Sequence, residues 1–353
     1  ELVDRACALG FDALALTDHD NLCAALPFAQ AATAAGLQAI TGCELTVEAD
    51  GALRHLVLLV ESRAGYANLC RILTDAHAGT RPPERVREPL GPATTIDFVA
   101  EHSAGLVCLS GCARHGLAVV DPAGAGRLAR AFRGSFYIEL QRPYARGDVQ
   151  RNARLSALAE TLGVPLVATG DVHAHDRRRT RLQDALVAIG CRTSLEGSER
   201  QRRGNHEAVL LAPAEAADRL PARAAARTRE VADRCGFDLT QEIGYRYPDF
   251  SAGGDTADRQ LRAICDSAFD GRYRVPGSGR ARARWRSRRP WKAIPRSRRC
   301  SIPGWPPTRD TPEAPRTRDG DEQWRNQWVY PGRTFWLIRA SRTRRKSHSR
   351  GTR

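Results

Sequence analysis

The sequence predicts an α/β fold, with a closed or nearly closed barrel preferred over an open doubly wound sheet. Three observations carry this prediction. Short apolar runs of strand length alternate with helical or loop stretches through residues 1–175. About six such strands can be traced before the pattern turns purely helical. Several of them end in Asp, Glu, His or Cys, and a barrel brings every strand end to one rim, whereas an open sheet offers fewer ligand-bearing ends.

In chain order, Gly10–Leu16 reads as a buried strand that empties into Thr17-Asp18-His19-Asp20. Asn21 is placed to cap a helix from Leu22 to about Ala35. Leu37–Thr41 is a second strand ending in Gly42-Cys43-Glu44, and Leu45–Glu48 a third. Asp50-Gly51 signals a hairpin, with Leu53–Val60 returning and His55 near its start. A helix begins at Ser62 or Arg63 and runs to about Ala76, followed by a Pro-, Gly- and Arg-rich loop over 78–94 and a short helix over Ile96–His102. The strand Gly105–Leu109 ends in Ser110-Gly111-Cys112. A small-residue helix around Ala125–Phe132, a strand Phe136–Leu140 and a helix Val149–Leu162 come next. The strand Val164–Ala168 opens into Gly170-Asp171-Val172-His173-Ala174-His175. Helices over Thr180–Ile189, Pro213–Leu220 and Arg223–Cys235 read as a helical continuation through residue 270.

The formal net charge of +15 is unevenly spread. Residues 271–353 hold 24 Lys and Arg against 5 Asp and Glu, along with all six Trp and both Lys. The rest of the chain is close to neutral. Two readings of this tail stand side by side. It is a basic nucleic-acid-binding segment, with Arg on phosphate and Trp on bases, or it is out-of-frame translation of a GC-rich coding sequence. The abrupt onset and the scarcity of Lys favour the second. The expected organisation is therefore 1–175, 176–270 and 271–353.

No apolar run approaches the roughly 18 residues of a membrane span, and no secretory leader is visible, so the expected location is cytoplasmic. The absence of Met and the start at Glu1 lead us to expect a piece upstream. The ten Cys lack CxxC spacing, which weighs against a disulfide framework. Cys7, Cys23, Cys70 and Cys265 read as core thiols on helical apolar faces.

The strand ends collect Asp18, His19, Glu44, His55, Cys112, Asp171 and His173. These oxygen, nitrogen and sulfur donors suit Zn2+ or Mn2+. Asp171 and His173 are two apart and share a face on an extended chain. Gathered on one rim, such groups hold two or more ions that orient a phosphate, activate water and stabilise a leaving oxygen. Cys112 is the weakest of these, since a Cys after a buried strand is usually a core or turn residue; His55 also reads as a hairpin-face residue, and Asp171-Val172-His173 is the strongest. Asp18, Asp20, His115 and His175 are assigned to the cleft without binding metal. His77, His102 and His206 read as surface or capping residues. No P-loop, GxGxxG, zinc finger or GxSxG elbow is present.

Five ordered stretches carry a family resemblance: Ala15–Leu22, Thr41–Glu44, Arg54–Leu59, Leu109–Cys112 and Ala168–His173. They resemble successive motifs of the PHP (polymerase and histidinol phosphatase) domain, in the form found at the N-terminus of bacterial C-family DNA polymerases. Arg181–Leu186 and Ala232–Cys235 extend the likeness toward residue 270. Gly170, where replicative alpha subunits usually carry Asn, is similar to the error-prone, damage-tolerant subgroup.

The resemblance implies a distorted seven-stranded (β/α) barrel of the PHP type, incomplete here, because the family's first strand with its His-x-His pair and a further acidic ligand would lie upstream of Glu1. It implies metal-ligand positions at His19, Glu44, His55, Cys112, Asp171 and His173, with Asp18 orienting His19 or facing the cleft. The parent activity implied is template-directed DNA synthesis with Mg2+, in the company of DNA and other translesion or replication proteins. No polymerase palm is identifiable before the Arg-rich tail. Two other functions remain open: a stand-alone metal-dependent phosphoesterase or 3′–5′ exonuclease, and a non-catalytic module bracing a polymerase.

Overall fold

The computed structural model describes residues 1–80, 91–244, 256–272 and 333–338. Of these, residues 1–80, 91–244 and 333–338 belong to one compact unit and 256–272 to another. In chain order the first unit contains α1 (Leu2–Ala8), β1 (Ala13–His19), α2 (Ala25–Ala34), β2 (Gln38–Ala49), β3 (Ala52–Val60) and α3 (Arg63–Ala78). It continues through β4 (Thr94–Thr95), α4 (Ile96–Glu101), β5 (Leu106–Leu109), α5 (Leu117–Val120), α6 (Pro122–Ala131), β6 (Phe136–Leu140), α7 (Asp148–Leu162) and β7 (Leu166–Ala168). Then come α8 (Thr180–Gly190), α9 (Pro213–Asp218) and α10 (Ala222–Arg234). The second unit's described helix is α11 (Ala257–Arg272), and β8 (Arg333–Ile338) returns to the first.

The fold is α/β, as predicted: a curled, incompletely closed sheet in the order β7-β6-β5-β3-β2-β1-β8, with β4 paired to β2. Strand direction is mixed. β1 and β2 are parallel, as are β5, β6 and β7, while β3 runs antiparallel to both β2 and β5. The reversal follows from the Asp50-Gly51 turn, whose φ values of 49° and 71° are those of a type I′ hairpin. A consequence is that β3 presents its N-terminal half, and with it His55, beside the C-terminal ends of β1 and β2.

Several expectations need correction. Leu37–Thr41 and Leu45–Glu48 are one strand, because Gly42-Cys43-Glu44 continues the ladder to β1 without a break. Asn21 does not cap α2, which starts at Ala25; Asn21 Oδ1 accepts from Cys23 N, and Asp18 Oδ2 accepts from Ala24 N at 3.1 Å. Of the four cysteines expected in the core, Cys7 and Cys23 are exposed and Cys70 and Cys265 partly so. Among the described residues the buried thiols are Cys43 and Cys108 on strands, Cys112 just past β5 and Cys235 at the end of α10. The predicted tail lies outside the described residues except for α11's last turn and β8. There the β-prone run Thr334–Ile338 pairs antiparallel with β1, Ala13 opposite Ile338.

Two apolar layers sandwich the sheet. Leu45, Leu56, Leu58, Val60 and Leu106 face α3, α4, α6 and α7, where Leu69, Ile72, Val99 and Leu128 are buried with them. On the opposite face, Ala13, Ala15, Ile40, Val57, Leu59, Val107, Leu109, Tyr137 and Val167 meet Val231, Ala232 and Cys235 of the α10 region. The stripe Ala224, Thr228, Val231, Ala232 recurs at helical spacing, which is why α10 lies along this face. Gln38 Nε2 donates to the carbonyls of Ala232 and Cys235 at 3.1 Å, and Arg234 Nε donates to Glu61 Oε1 at 2.7 Å. Leu58 is fully buried in the first layer. Leu58→Ala is expected to cost about 2–5 kcal/mol, read as a lowered denaturation midpoint at unchanged slope.

Candidate metal centre

Alternation along the strands builds the site. The residues that follow Ala13 and Ala15 on the same face of β1 are Thr17 and His19. Those following Ile40 on β2 are Gly42 and Glu44, and the one preceding Val57 on β3 is His55. Past Tyr137 come Glu139 and Gln141, and past Val167 come Thr169 and Asp171. The apolar face covered by α10 therefore grades into a polar cluster toward one end of the sheet. Register completes the placement: His19 is paired with Glu44 across the β1–β2 ladder, and Thr46 with His55 across β2–β3.

One nitrogen from each of His19 and His55 and one oxygen of Glu44 lie within 4.8 Å of one another. Glu44 is 1% exposed. Its Oε1 is 3.0 Å from His55 Nδ1 and its Oε2 3.3 Å from His19 Nε2, the latter without hydrogen-bond geometry. The two imidazole rings meet edge to face with centroids 4.5 Å apart. Burial pushes the Glu44 carboxyl up, but the charge and hydrogen bond of the two histidines overcome it and hold the pKa at about 2. Burial works against protonated His19, and Glu44 and Asp20 outweigh it and raise its pKa. Cys112 Sγ is 3.5 Å from His55 Nδ1, and burial pushes this thiol well up. The ring of His115 stands 5.1 Å from that of His55, beside the cleft.

Asp171 and His173 form the other half. Asp171 has a φ of 46° at the strand end, which turns its carboxylate toward His173 Nε2 at 3.0 Å. Burial raises the Asp171 carboxyl, and the Arg203 guanidinium and His173 reverse that and hold it well below the usual carboxylate range. Asp171 is felt electrostatically by His19, Glu44 and Cys112, so both halves belong to one cluster.

Three of the residues assigned to the cleft are engaged by other partners. Asp18 alternates to the face opposite His19 and supports the start of α2 through Ala24 N. Asp20, at φ 51°, folds its carboxylate onto Thr46, accepting from N at 2.6 Å and from Oγ1 at 2.7 Å. It backs His19 from 3.8 Å. His175 lies against Glu1 and Asp176 at 3.9 and 3.7 Å. His77 is more than a surface residue, because its Nε2 meets the Asp20 carbonyl at 2.7 Å and so braces the turn after His19.

Two residues escaped the sequence reading. Glu139 is buried on the site face of β6, held by Gln141 Nε2 at 2.5 Å and by the Thr169 hydroxyl, and burial pushes its carboxyl well up. A glutamate inside the apolar run Phe136–Leu140 was the available signal. Arg203 reaches the Asp171–His173 pair from a loop with no periodicity, and nothing in the local sequence distinguishes it from its neighbours Arg200 and Arg202.

The donor set tests the fit of a divalent ion. On the first half, two imidazoles, a carboxylate with one buried oxygen lacking a hydrogen-bond partner among the described residues, and a thiol at their side suit Zn2+ or Mn2+. On the second half, the donor atoms are already taken by a guanidinium.

An α/β sheet, curled but incompletely closed, thus gathers His, Glu and Asp at one end as a candidate metal centre. Residues 1–143 match the PHP domain, and this part of the chain is a PHP domain. The chain is 34% identical over 254 residues to the error-prone DNA polymerase of Symbiobacterium thermophilum, covering 67% of this chain and 23% of that protein. It is 36% identical over 256 residues to the same-named protein of Anaeromyxobacter dehalogenans strain 2CP-1, covering 70% and 22%. With that of Mycobacterium bovis it shares 33% over 305 residues, covering 79% and 27%. The chain thus spans about a quarter of the length of these relatives. A solved putative metal-dependent phosphoesterase from Bifidobacterium adolescentis aligns at 15% identity and a TM-score of 0.31, covering 47% of this chain and 79% of that one. At that score the likeness carries no argument.

Proposed function

We propose that this chain is the PHP-domain portion of an error-prone DNA polymerase and that its own chemistry is metal-dependent phosphoester hydrolysis. The observation that carries this reading is the clustering of His19, Glu44 and His55 within 4.8 Å, in a PHP domain whose relatives are named error-prone DNA polymerases. His19, Glu44 and His55 would hold the ion, with Cys112 beside them as a fourth donor. A bound Zn2+ or Mn2+ supplies Lewis-acid activation of water and neutralises phosphate charge. His19 and His55 would each offer it a ring nitrogen, Glu44 would balance its charge, and Asp20 and His77 keep the His19 turn in place.

Damage-tolerant DNA synthesis with Mg2+, contact with DNA and with other translesion or replication proteins, and residence in the cytoplasm belong in this proposal to the full-length parent. The helical stretch 176–270 is read as the link toward its polymerase domain. Among the described residues, no helix is long and apolar enough to cross a membrane.

One observation favours a second reading, a non-catalytic brace: the Asp171–His173 half is engaged by Arg203 rather than free. Hydrolysis of bis-p-nitrophenyl phosphate and of 3′-ended single-stranded DNA by the metal-loaded chain separates the two. Activity abolished in His55→Ala supports the hydrolase. Metal binding without hydrolysis of either substrate sinks it in favour of the brace.

A further inference from the structure

Arg203 is held in the cleft by its surroundings. Arg114 donates from Nη1 to the Gln201 carbonyl at 2.8 Å and from Nη2 to the Arg202 carbonyl at 2.7 Å. Asn205 Nδ2 donates to the Pro143 carbonyl at 2.8 Å, and His173 N donates to the Ala208 carbonyl at 2.9 Å. The loop is thus tied down on both sides of residue 203. From it, Arg203 Nη1 donates to Asp171 Oδ2 at 2.6 Å and Nη2 to Oδ1 at 3.3 Å. Nη2 also meets Nε2 of His173.

A guanidinium stays protonated and has no acceptor. His173 Nε2 is met by this guanidinium and by Asp171 Oδ1 at 3.0 Å, so an ion would have to displace Arg203 to reach its lone pair. Both carboxylate oxygens of Asp171 and that nitrogen lone pair are the donors a divalent ion would need from this pair. Arg203 and an ion compete for the same three atoms. Removing the guanidinium would leave Asp171, 1% exposed, without its main counter-charge. No comparable cation contacts Glu44 among the described hydrogen bonds and ion pairs.

We propose that Arg203 is the built-in cation of the Asp171–His173 half, so that the centre takes one divalent ion, at His19, Glu44 and His55, instead of two or more. This rests on the metal-centre reading above. It makes Arg203 a positioning residue that fixes Asp171 and His173 and sets metal stoichiometry.

The test is the number of ions bound per full-length chain after chelator treatment and equilibrium dialysis against Zn2+, measured by elemental analysis and titration calorimetry. The expected result is one ion for the wild type and for Arg203→Lys, and two for Arg203→Gln. Arg203→Gln combined with Asp171→Asn is expected to return to one. Circular dichroism checks that each variant folds. Two ions in the wild type overturn the inference without any variant being needed. Equal stoichiometry in wild type and folded Arg203→Gln also overturns it, while leaving the His19–Glu44–His55 centre standing. No ion in either protein overturns both readings.

Discussion

Glu44→Gln is expected to abolish tight divalent-ion binding, weakening Zn2+ affinity by at least about 100-fold, the upper end of what loss of a mere supporting group costs. The amide keeps the shape and one acceptor oxygen but loses the charge that two histidines share. Glu44 touches His55 Nδ1 at 3.0 Å and His19 Nε2 at 3.3 Å, so it is the hub of the three-residue cluster. Zn2+ titration calorimetry of both proteins, with elemental analysis of the dialysed samples, reads the change. Unaltered affinity would remove Glu44 from the ligand set and with it the proposed centre. The apo protein is expected to remain folded, since Gln is close to isosteric with Glu and fills the same buried position.

Gly111→Ala is expected to be the most damaging small substitution near the site, destabilising by about 3–5 kcal/mol. Gly111 has a φ of 98°, and a Cβ there would stand 1.9 Å from the His55 carbonyl oxygen and 2.8 Å from the Gly116 Cα. Both neighbours are backbone and cannot swing aside. The same close approach seats Cys112 beside His55, so the change strikes the geometry of the centre along with the fold. Gly134→Ala is the matched control. Its φ is 73°, yet a Cβ would meet nothing within 4 Å, so it should cost only about 1 kcal/mol. Equal denaturation midpoints for the two variants would show that backbone contact at Gly111 is not what forbids a side chain.

These two sites illustrate how unevenly the molecule was legible. The strand ending at Thr17-Asp18-His19-Asp20 was readable, because an apolar strand that stops abruptly in clustered polar residues marks the end of a buried sheet opening onto a cleft. Its internal division of labour was not. His19 lines the site and Asp18 the opposite face purely by alternation, and the sequence shows the alternation without showing which face is which. Asp20 looked like a cleft residue, but its positive φ turns the carboxylate back onto Thr46. The Gly42-Cys43-Glu44 segment looked like a break between strands, and the ladder from β1 carries straight through it. A local reading cannot anticipate this, since Gly is punctuation in isolation and a close-packing position in a sheet. A Cβ at Gly42 would lie 2.7 Å from the Leu58 carbonyl oxygen.

By itself the sequence determined the α/β class, the order of the elements, the Asp50-Gly51 hairpin, the PHP resemblance and the residue types of the candidate centre. Each is carried by local chemistry: hydrophobic period, turn propensity or motif spacing. Only the tertiary structure decided that His19, Glu44 and His55 converge while Asp18 and Asp20 hold Ala24 and Thr46, and that Arg203 enters the Asp171–His173 pair from a loop 30 residues beyond His173. The physical reason is that register, strand direction and long-range ion pairing are set between segments. A charge finds its partner through the fold, and neighbouring residues carry no record of that pairing.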